Sequence, residues 1–184
     1  MLRSGAALIA LLAATPAVAV GIDITVSGEA NGVISIDLLE DVAPAHVARI
    51  TELAEAGAYD GVVFHRVIDG FMAQTGDVEF GQIDGYDARM AGRGGSDLGN
   101  LPAEFSDISF ERGVVGMARS QDPDSANSQF FIMFAPGPFL NGAYTVVGTV
   151  TSGMEVVDAI KRGHPRTGAV TGAPDLMSDV SVTE

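Results

Sequence analysis

The run Phe64-His65-Arg66-Val67-Ile68-Asp69-Gly70-Phe71-Met72-Ala73-Gln74-Thr75-Gly76-Asp77 constrains the fold more than any other stretch. Asp-Gly between apolar runs is a strong two-residue hairpin signal, because its backbone accepts the turn that twisted antiparallel strands need. The chain is therefore expected to double back at Asp69-Gly70 as two short strands. Side chains alternate across a strand. Phe64, Arg66 and Ile68 then share one face of the first strand, with His65 and Val67 on the other. On the second strand Phe71 and Ala73 oppose Met72 and Gln74. A guanidinium is costly in a purely structural core, so an Arg among large apolar groups and near an amide asks for a task.

Short strands and turn signals recur along the rest of the chain. Ile22 to Val26 alternates as a strand, Asn31-Gly32 turns, and Val33 to Leu39 returns. Pro44 opens a helix with Val47, Ile50, Leu53 and Ala54 on one stripe and Gly57 as its C-cap, followed by the turn Tyr59-Asp60-Gly61. From Glu79 to Asp107 periodicity vanishes. Gly81, Gly85, Gly92, Gly94, Gly95 and Gly99 punctuate a long loop that also carries Arg89, Arg93 and Pro102. A loop of this length in a compact domain is usually functional or covers something. Gly113 to Ala118 reads as a strand, Arg119 to Ala126 as a polar loop, and Ser128 to Phe134 as a central strand, apolar on both faces. Pro136-Gly137-Pro138 breaks it; Tyr144 to Val150 is another strand, Met154 to Arg162 a short helix, and Met177 to Thr183 a last strand. About eight strands and two helices, with closely spaced turns, predict a mainly β, closed or nearly closed antiparallel barrel. The 184 residues, 47% of them hydrophobic and 23 of them Gly, fit one such domain.

The N-terminus is expected to stand apart from this domain. Arg3, the apolar run from Ala6 to Ala14 and the small-x-small pattern Pro16-Ala17-Val18-Ala19 read as a secretory signal peptide cleaved after Ala19. The apolar run is too short for a membrane span, which needs about 20 residues. Residues 1–19 are thus assigned to the signal and 20–184 to the folded domain. Arg outnumbers Lys nine to one in a chain rich in Ala, Gly and Asp, which suggests a GC-rich bacterial source and hence a periplasmic or secreted protein. The formal net charge of −14 argues against nucleic acid as a partner, since phosphates are repelled. A monomer without stable membrane insertion is expected.

The common catalytic machineries are missing. There is no Cys. His46, His65 and His164 are far apart and lack metal spacing, and His65 reads as a structural histidine. No Ser occupies a G-x-S-x-G elbow. Gly92-Arg93-Gly94-Gly95 lacks the Lys-Ser/Thr and helix of a phosphate loop, and Asp122-Pro123-Asp124-Ser125 reads as turn chemistry. What remains is Arg66, Gln74, Phe71, Met72, Gln129, Phe131, Phe139 and Leu140. A fixed cation and amides beside apolar walls can hold an apolar group and hydrogen-bond a carbonyl.

At these residues the chain resembles the cyclophilin family of peptidyl-prolyl isomerases. Phe64 to Asp77 looks like the family signature; Gly116-Met117-Ala118 with Asn127-Ser128-Gln129-Phe130-Phe131-Ile132 looks like its second block. Phe139-Leu140-Asn141-Gly142 with Tyr144-Thr145-Val146-Val147-Gly148 looks like its third, and Pro44 to Gly61 is similar to its first helix. The resemblance implies a closed eight-stranded antiparallel barrel capped by two α-helices, with the active groove on its outer face. It implies Arg66 as the catalytic guanidinium, oriented by Gln74, which also touches the substrate. Phe71, Met72, Phe131 and Leu140 would hold the proline ring, Phe139 and Tyr144 would add aromatic walls, Ala118 and Gln129 would line the groove, and the backbone of Arg119 would pair with the peptide. Arg119, Phe139 and Tyr144 stand where the family often has Asn, Trp and His.

Those residue types suit an X-Pro bond rotation. The amide barrier is about 18–20 kcal/mol, and the uncatalysed event takes tens to hundreds of seconds. No bond is made or broken, so the reaction implies no cofactor and no nucleophile. The reading is an enzyme acting on unfolded or proline-containing polypeptides. The alternatives are a proline-binding or chaperone-like module with incidental turnover, and a structural role that uses the acidic surface.

Overall fold

The computed structural model describes residues 20–184; the expected signal peptide falls outside the described residues. Nine strands are present: β1 (Gly21–Ser27), β2 (Gly32–Leu38), β3 (Val62–Val63), β4 (Arg66–Ile68), β5 (Met72–Thr75), β6 (Val114–Met117), β7 (Phe130–Met133), β8 (Val146–Ser152) and β9 (Leu176–Thr183). They form one antiparallel sheet in the order β3-β9-β1-β2-β8-β6-β7-β5-β4, accompanied by helices α1 (Pro44–Glu55) and α2 (Met154–Ala159).

The two ends of that order, β3 and β4, are consecutive pieces of one run interrupted at Phe64 and His65. On one edge the run stays bonded to the segment leading into β9. Phe64 N–H donates to the Asp175 carbonyl at 2.9 Å, Val67 N–H to Gly168 at 2.8 Å, and Val170 N–H back to His65 at 3.0 Å. On the other edge β4 pairs with β5. A single broken strand therefore holds both ends of the curled sheet. Counted as one strand, it gives the expected eight.

Strand alternation divides the apolar residues into two cores. Along β7, Phe130 and Ile132 join the interior with Ile22, Ile24, Val67, Ala73, Val115 and Met117, while Phe131 and Met133 face outward. The outer cluster comprises Met72, Phe110, Val114, Phe131, Met133, Leu140 and Val146. α1 packs its Val47, Ile50 and Leu53 stripe on the inner core. Ala43 offers no side-chain cap; instead Glu104, from the long loop, accepts the N–H groups of Ala45 (3.2 Å) and His46 (3.1 Å) and the His46 ring Nδ1 at 2.7 Å. This satisfies donors that a helix start leaves unpaired.

Five details differ from the sequence expectation. The pairing Ile68↔Met72 leaves three residues in the hairpin loop rather than two. Phe71 N–H bonds the Ile68 carbonyl at 3.0 Å, and Gly70 takes φ +67° in the turn, a conformation glycine adopts without strain. Phe64 does not share a face with Arg66: the break at Phe64-His65 resets the alternation, and Phe64 is fully buried in the inner core with Val67. α2 ends at Ala159 rather than Arg162, because Ile160 turns extended and Lys161 N–H is taken by the buried Asp175 carboxylate at 2.7 Å. β8 begins at Val146, since Tyr144 N–H is still bonded to Leu140 in the preceding turn. Gly57 follows the C-cap residue of α1, Ala56.

Residues 78–113 contain no strand or helix, as the lost periodicity suggests. They are ordered by buried polar groups elsewhere. The fully buried Asp77 carboxylate accepts N–H groups from Glu79 (3.2 Å), Phe80 (2.9 Å), Gly92 (2.7 Å) and Gly94 (3.0 Å). Asn127 accepts from Ser96 N–H at 2.7 Å and donates to the Gly99 carbonyl at 2.9 Å, and Arg49 donates to Leu98 (3.1 Å) and Gly99 (2.8 Å).

Candidate active site

Arg66 stands on β4 and faces the outer cluster, half-buried, opposite Gln74 of β5 in the strand register. Its Nη1 donates to Gln74 Oε1 at 3.1 Å and lies 3.8 Å from Met72 Sδ. Gln74 Nε2 donates to Gln129 Oε1 at 2.9 Å, and Gln129 Nε2 donates to the Gly94 carbonyl at 2.8 Å. This relay has a defined direction. A guanidinium only donates and a carbonyl only accepts, so both amides between them have one orientation that satisfies every bond.

One cavity of about 400 Å³ opens beside this relay. Arg66, Phe71, Met72, Gln74, Ala118, Arg119, Phe131, Phe139, Leu140 and Tyr144 line it. Every site residue expected from sequence except Gln129 is among them. Gln129 lines an adjoining cavity of about 250 Å³ that shares Gln74, Ala118 and Arg119 with the first. Residues 57 positions apart are thus brought to one groove by the β5–β7 pairing, which sets Gln74 opposite Phe131.

The floor and rim of the first cavity differ. Met72, Phe131 and Leu140 are at most 5% exposed, whereas Phe139 is 70% exposed. Phe139 rests against Phe71 with ring centroids 5.4 Å apart, and Phe131 meets Tyr144 edge-on at 6.0 Å. The Arg119 guanidinium lies 4.3 Å from the Tyr144 ring centroid and donates to the carbonyls of Ala143, Ser120 and Gln121, so the Arg119 side chain braces the rim. The Ala118 N–H is already used within the sheet, on Gln129.

His65, the neighbour of Arg66, is buried beneath Gly92, and neither ring nitrogen has a hydrogen-bond partner. Burial pushes its pKa down to about 4, against a smaller opposing pull from the Asp77 carboxylate. It is neutral at pH 7 and lines neither cavity, in keeping with a structural histidine. Burial also lowers the pKa of Arg66 from the usual guanidinium range, partly offset by Tyr144; an arginine remains charged nonetheless. No Asp, Glu or His lines either cavity. The site can therefore seat a small apolar ring and present a fixed cation and amides to a carbonyl or nitrogen beside it.

Sequence reasoning missed the loop wall. Gly92, Arg93, Gly94, Ser120, Ser125 and Asn127 complete the second cavity, and Asp77 holds Gly92 and Gly94 in place. A Cβ at Gly94 would lie 2.4 Å from Asp77 Oδ1, so the carboxylate reaches this backbone only because the residue is glycine. The available signals were the aperiodic, glycine-rich run around Gly92-Arg93-Gly94, which reads from sequence as an irregular loop, and the charged Asp77 that precedes it.

Comparison with known proteins places the chain in a family. A family model described as "Cyclophilin type peptidyl-prolyl cis-trans isomerase/CLD" matches residues 21–182. A probable peptidyl-prolyl cis-trans isomerase of Brucella suis is 58% identical over 153 residues, covering 83% of this chain and 78% of the relative. Peptidyl-prolyl cis-trans isomerase B of Bacillus subtilis is 38% identical over 150 residues, covering 81% and 90%. Among solved structures, a cyclophilin-type isomerase of Cryptosporidium parvum superimposes with a TM-score of 0.73 at 23% identity, covering 89% of this chain and 99% of that one. A cyclophilin of Hirschia baltica gives 0.70 at 26%, covering 88% and 73%. With nearly the whole described chain matched by the family and its barrel shared with solved cyclophilins, this protein belongs to the cyclophilin-type peptidyl-prolyl cis-trans isomerases.

Proposed function

We propose that this isomerase turns X-Pro bonds of exported or folding polypeptides, with Arg66 stabilising the twisted amide while the adjoining cavity holds the proline ring. The observation that carries the reading is the fixed guanidinium: Arg66 is bonded to Gln74 at 3.1 Å on the wall of an apolar cavity. As the C–N bond twists, conjugation is lost and the prolyl nitrogen becomes a better acceptor. Donors already in place favour that state over either planar one, without reorganising at the moment of rotation. Arg suits the role through its permanent charge and rigid fan of donors. Gln74 uses one donor of Arg66 and leaves the others for substrate. Met72, Phe131 and Leu140 anchor the ring and exclude water. The Cryptosporidium parvum cyclophilin of the same fold was crystallised in the presence of the dipeptide Ala-Pro, a ligand whose ring matches the apolar lining described above.

Export is supported by Arg3, the apolar run from Ala6 to Ala14 and the small-x-small pattern before Val20. Residues 1–19 fused to a reporter active only outside the cytoplasm should confer activity, and an Arg in the middle of the apolar run should abolish it. For catalysis, a protease-coupled assay on an X-Pro peptide compares the wild type with Arg66→Ala. Loss of one preorganised donor costs about 3–4 kcal/mol in other enzymes, so kcat/KM should fall on the order of 10²-fold or more. Equal rates for the two proteins would remove Arg66 from its assigned role. No acceleration by the wild type would leave a proline-binding module.

A further inference from the structure

We infer that the groove prefers X-Pro segments bearing a carboxylate side chain one or two residues from the proline, with Arg93 as the specificity-determining residue. This rests on the isomerase reading above and extends it to substrate class. The starting observation is a segregation of charge. The chain carries 24 acidic and 10 basic residues. Yet the walls of the two adjoining cavities include Arg66, Arg93 and Arg119 and not one Asp or Glu.

The pairing of these cations points the same way. Elsewhere most described cations meet carboxylates: Arg89 with Asp87, Arg112 with Asp158, Arg162 with Asp69 and Lys161 with Glu29, while Arg49 is spent on the Leu98 and Gly99 carbonyls and Arg166 has no carboxylate partner among the described residues. Among the described residues, none of the three groove arginines has a carboxylate within 4 Å. Arg66 is committed to Gln74 and Arg119 to the Ala143, Ser120 and Gln121 carbonyls. Arg93 is exposed at the second cavity, on a loop whose backbone is fixed on both sides by Asp77, and its side chain has no hydrogen-bond partner among the described residues. An unpaired guanidinium is a fork suited to a carboxylate.

Distance and screening fit. The cavities share Gln74, Ala118 and Arg119, so a peptide seated by its proline in the first passes the second. Each residue advances an extended chain about 3.3–3.6 Å, so the residues flanking a proline seated in the first cavity are the ones that enter the adjoining second cavity, where Arg93 stands. The protein's overall negative charge opposes an acidic segment at long range. That repulsion is screened beyond about 8 Å at physiological salt, while the cations on the groove walls act at contact distance.

The test uses exchange NMR, which needs no coupling protease, on the purified protein. The peptides share one X-Pro pair and carry Glu, Gln or Lys at each of the two positions before and the two after it. At one of these positions the exchange efficiency should rank Glu above Gln above Lys, by roughly fivefold per step at low salt, as expected for an exposed ion pair. The spread should narrow in about 0.5 M salt. Arg93→Gln should bring the Glu-to-Gln ratio near unity, and Arg93→Glu should invert it. Equal efficiencies for Glu and Gln at all four positions, or a ratio unchanged in both Arg93 variants, would overturn the inference while leaving the isomerase reading intact, because the Gln peptides report turnover by themselves. Failure to accelerate any peptide would overturn both.

Discussion

On one side of the groove Arg66, Met72, Gln74 and Phe131 stand on β4, β5 and β7, positioned by strand register and by apolar packing over the barrel. On the other side Gly92, Arg93 and Gly94 belong to a segment without regular structure, and backbone N–H bonds to the buried Asp77 carboxylate position them. The two walls meet in a single contact of the relay, Gln129 on the Gly94 carbonyl at 2.8 Å. The difference separates what can vary. A strand-borne side chain cannot move without disturbing the core behind it, whereas a loop clamped at its backbone can change side chains freely. Chemistry common to a fold belongs on the first kind of wall and preference among substrates on the second.

This contrast can be broken by experiment. Ile132→Ala, behind the strand wall, should cost about 2–5 kcal/mol of stability, since it leaves a cavity in a closely packed interior. Urea unfolding measures it, and the residual folded enzyme should keep its substrate ranking. Asp77→Ala leaves the Gly92 and Gly94 N–H groups without their acceptor and should cost about 2–3 kcal/mol. It should also lower kcat/KM, because Gly94 no longer supports Gln129; a variant with full turnover would show the walls to be independent. Acid should act on the seam between them, where His65 lies beneath Gly92. The folded pKa of His65, about 4, is below its ordinary value of 6.5. The unfolded chain therefore binds more protons between those values, and stability falls as pH falls through that window. From pH 7 to 5 the loss should be about 2 kcal/mol; His65→Phe should abolish this share, and an identical loss in the variant would assign it elsewhere. Phe139→Ala, on the exposed rim, should leave stability within about 0.5 kcal/mol and raise KM by the equivalent of about 1 kcal/mol, the worth of one aromatic contact.

The same contrast explains what could be read in the sequence. Phe130, Phe131 and Ile132 alternate as expected, because a paired strand offers only two directions. Pro44 does open α1. The run at Phe64-His65 defeated alternation because it exchanges partners there, one edge bonded near Asp175 and the other piece to β5. No local pattern encodes that exchange. The loop wall was illegible for a related reason. Its geometry rests on Asp77, Asn127 and Arg49, polar residues whose partners here lie 17, 28 and 50 positions away and follow no period. Glu104 capping α1 across 58 positions is another such contact.

The relay from Arg66 through Gln74 and Gln129 to Gly94 begins at a group that only gives protons in hydrogen bonds and ends at one that only receives them. Around it, both cavities lack carboxylates and imidazoles. The groove therefore keeps one charge pattern from acid to neutral surroundings for as long as the barrel stays folded. Under the export proposed above, swings toward acid would reach the protein, and its groove would hold no carboxylate or imidazole for them to switch.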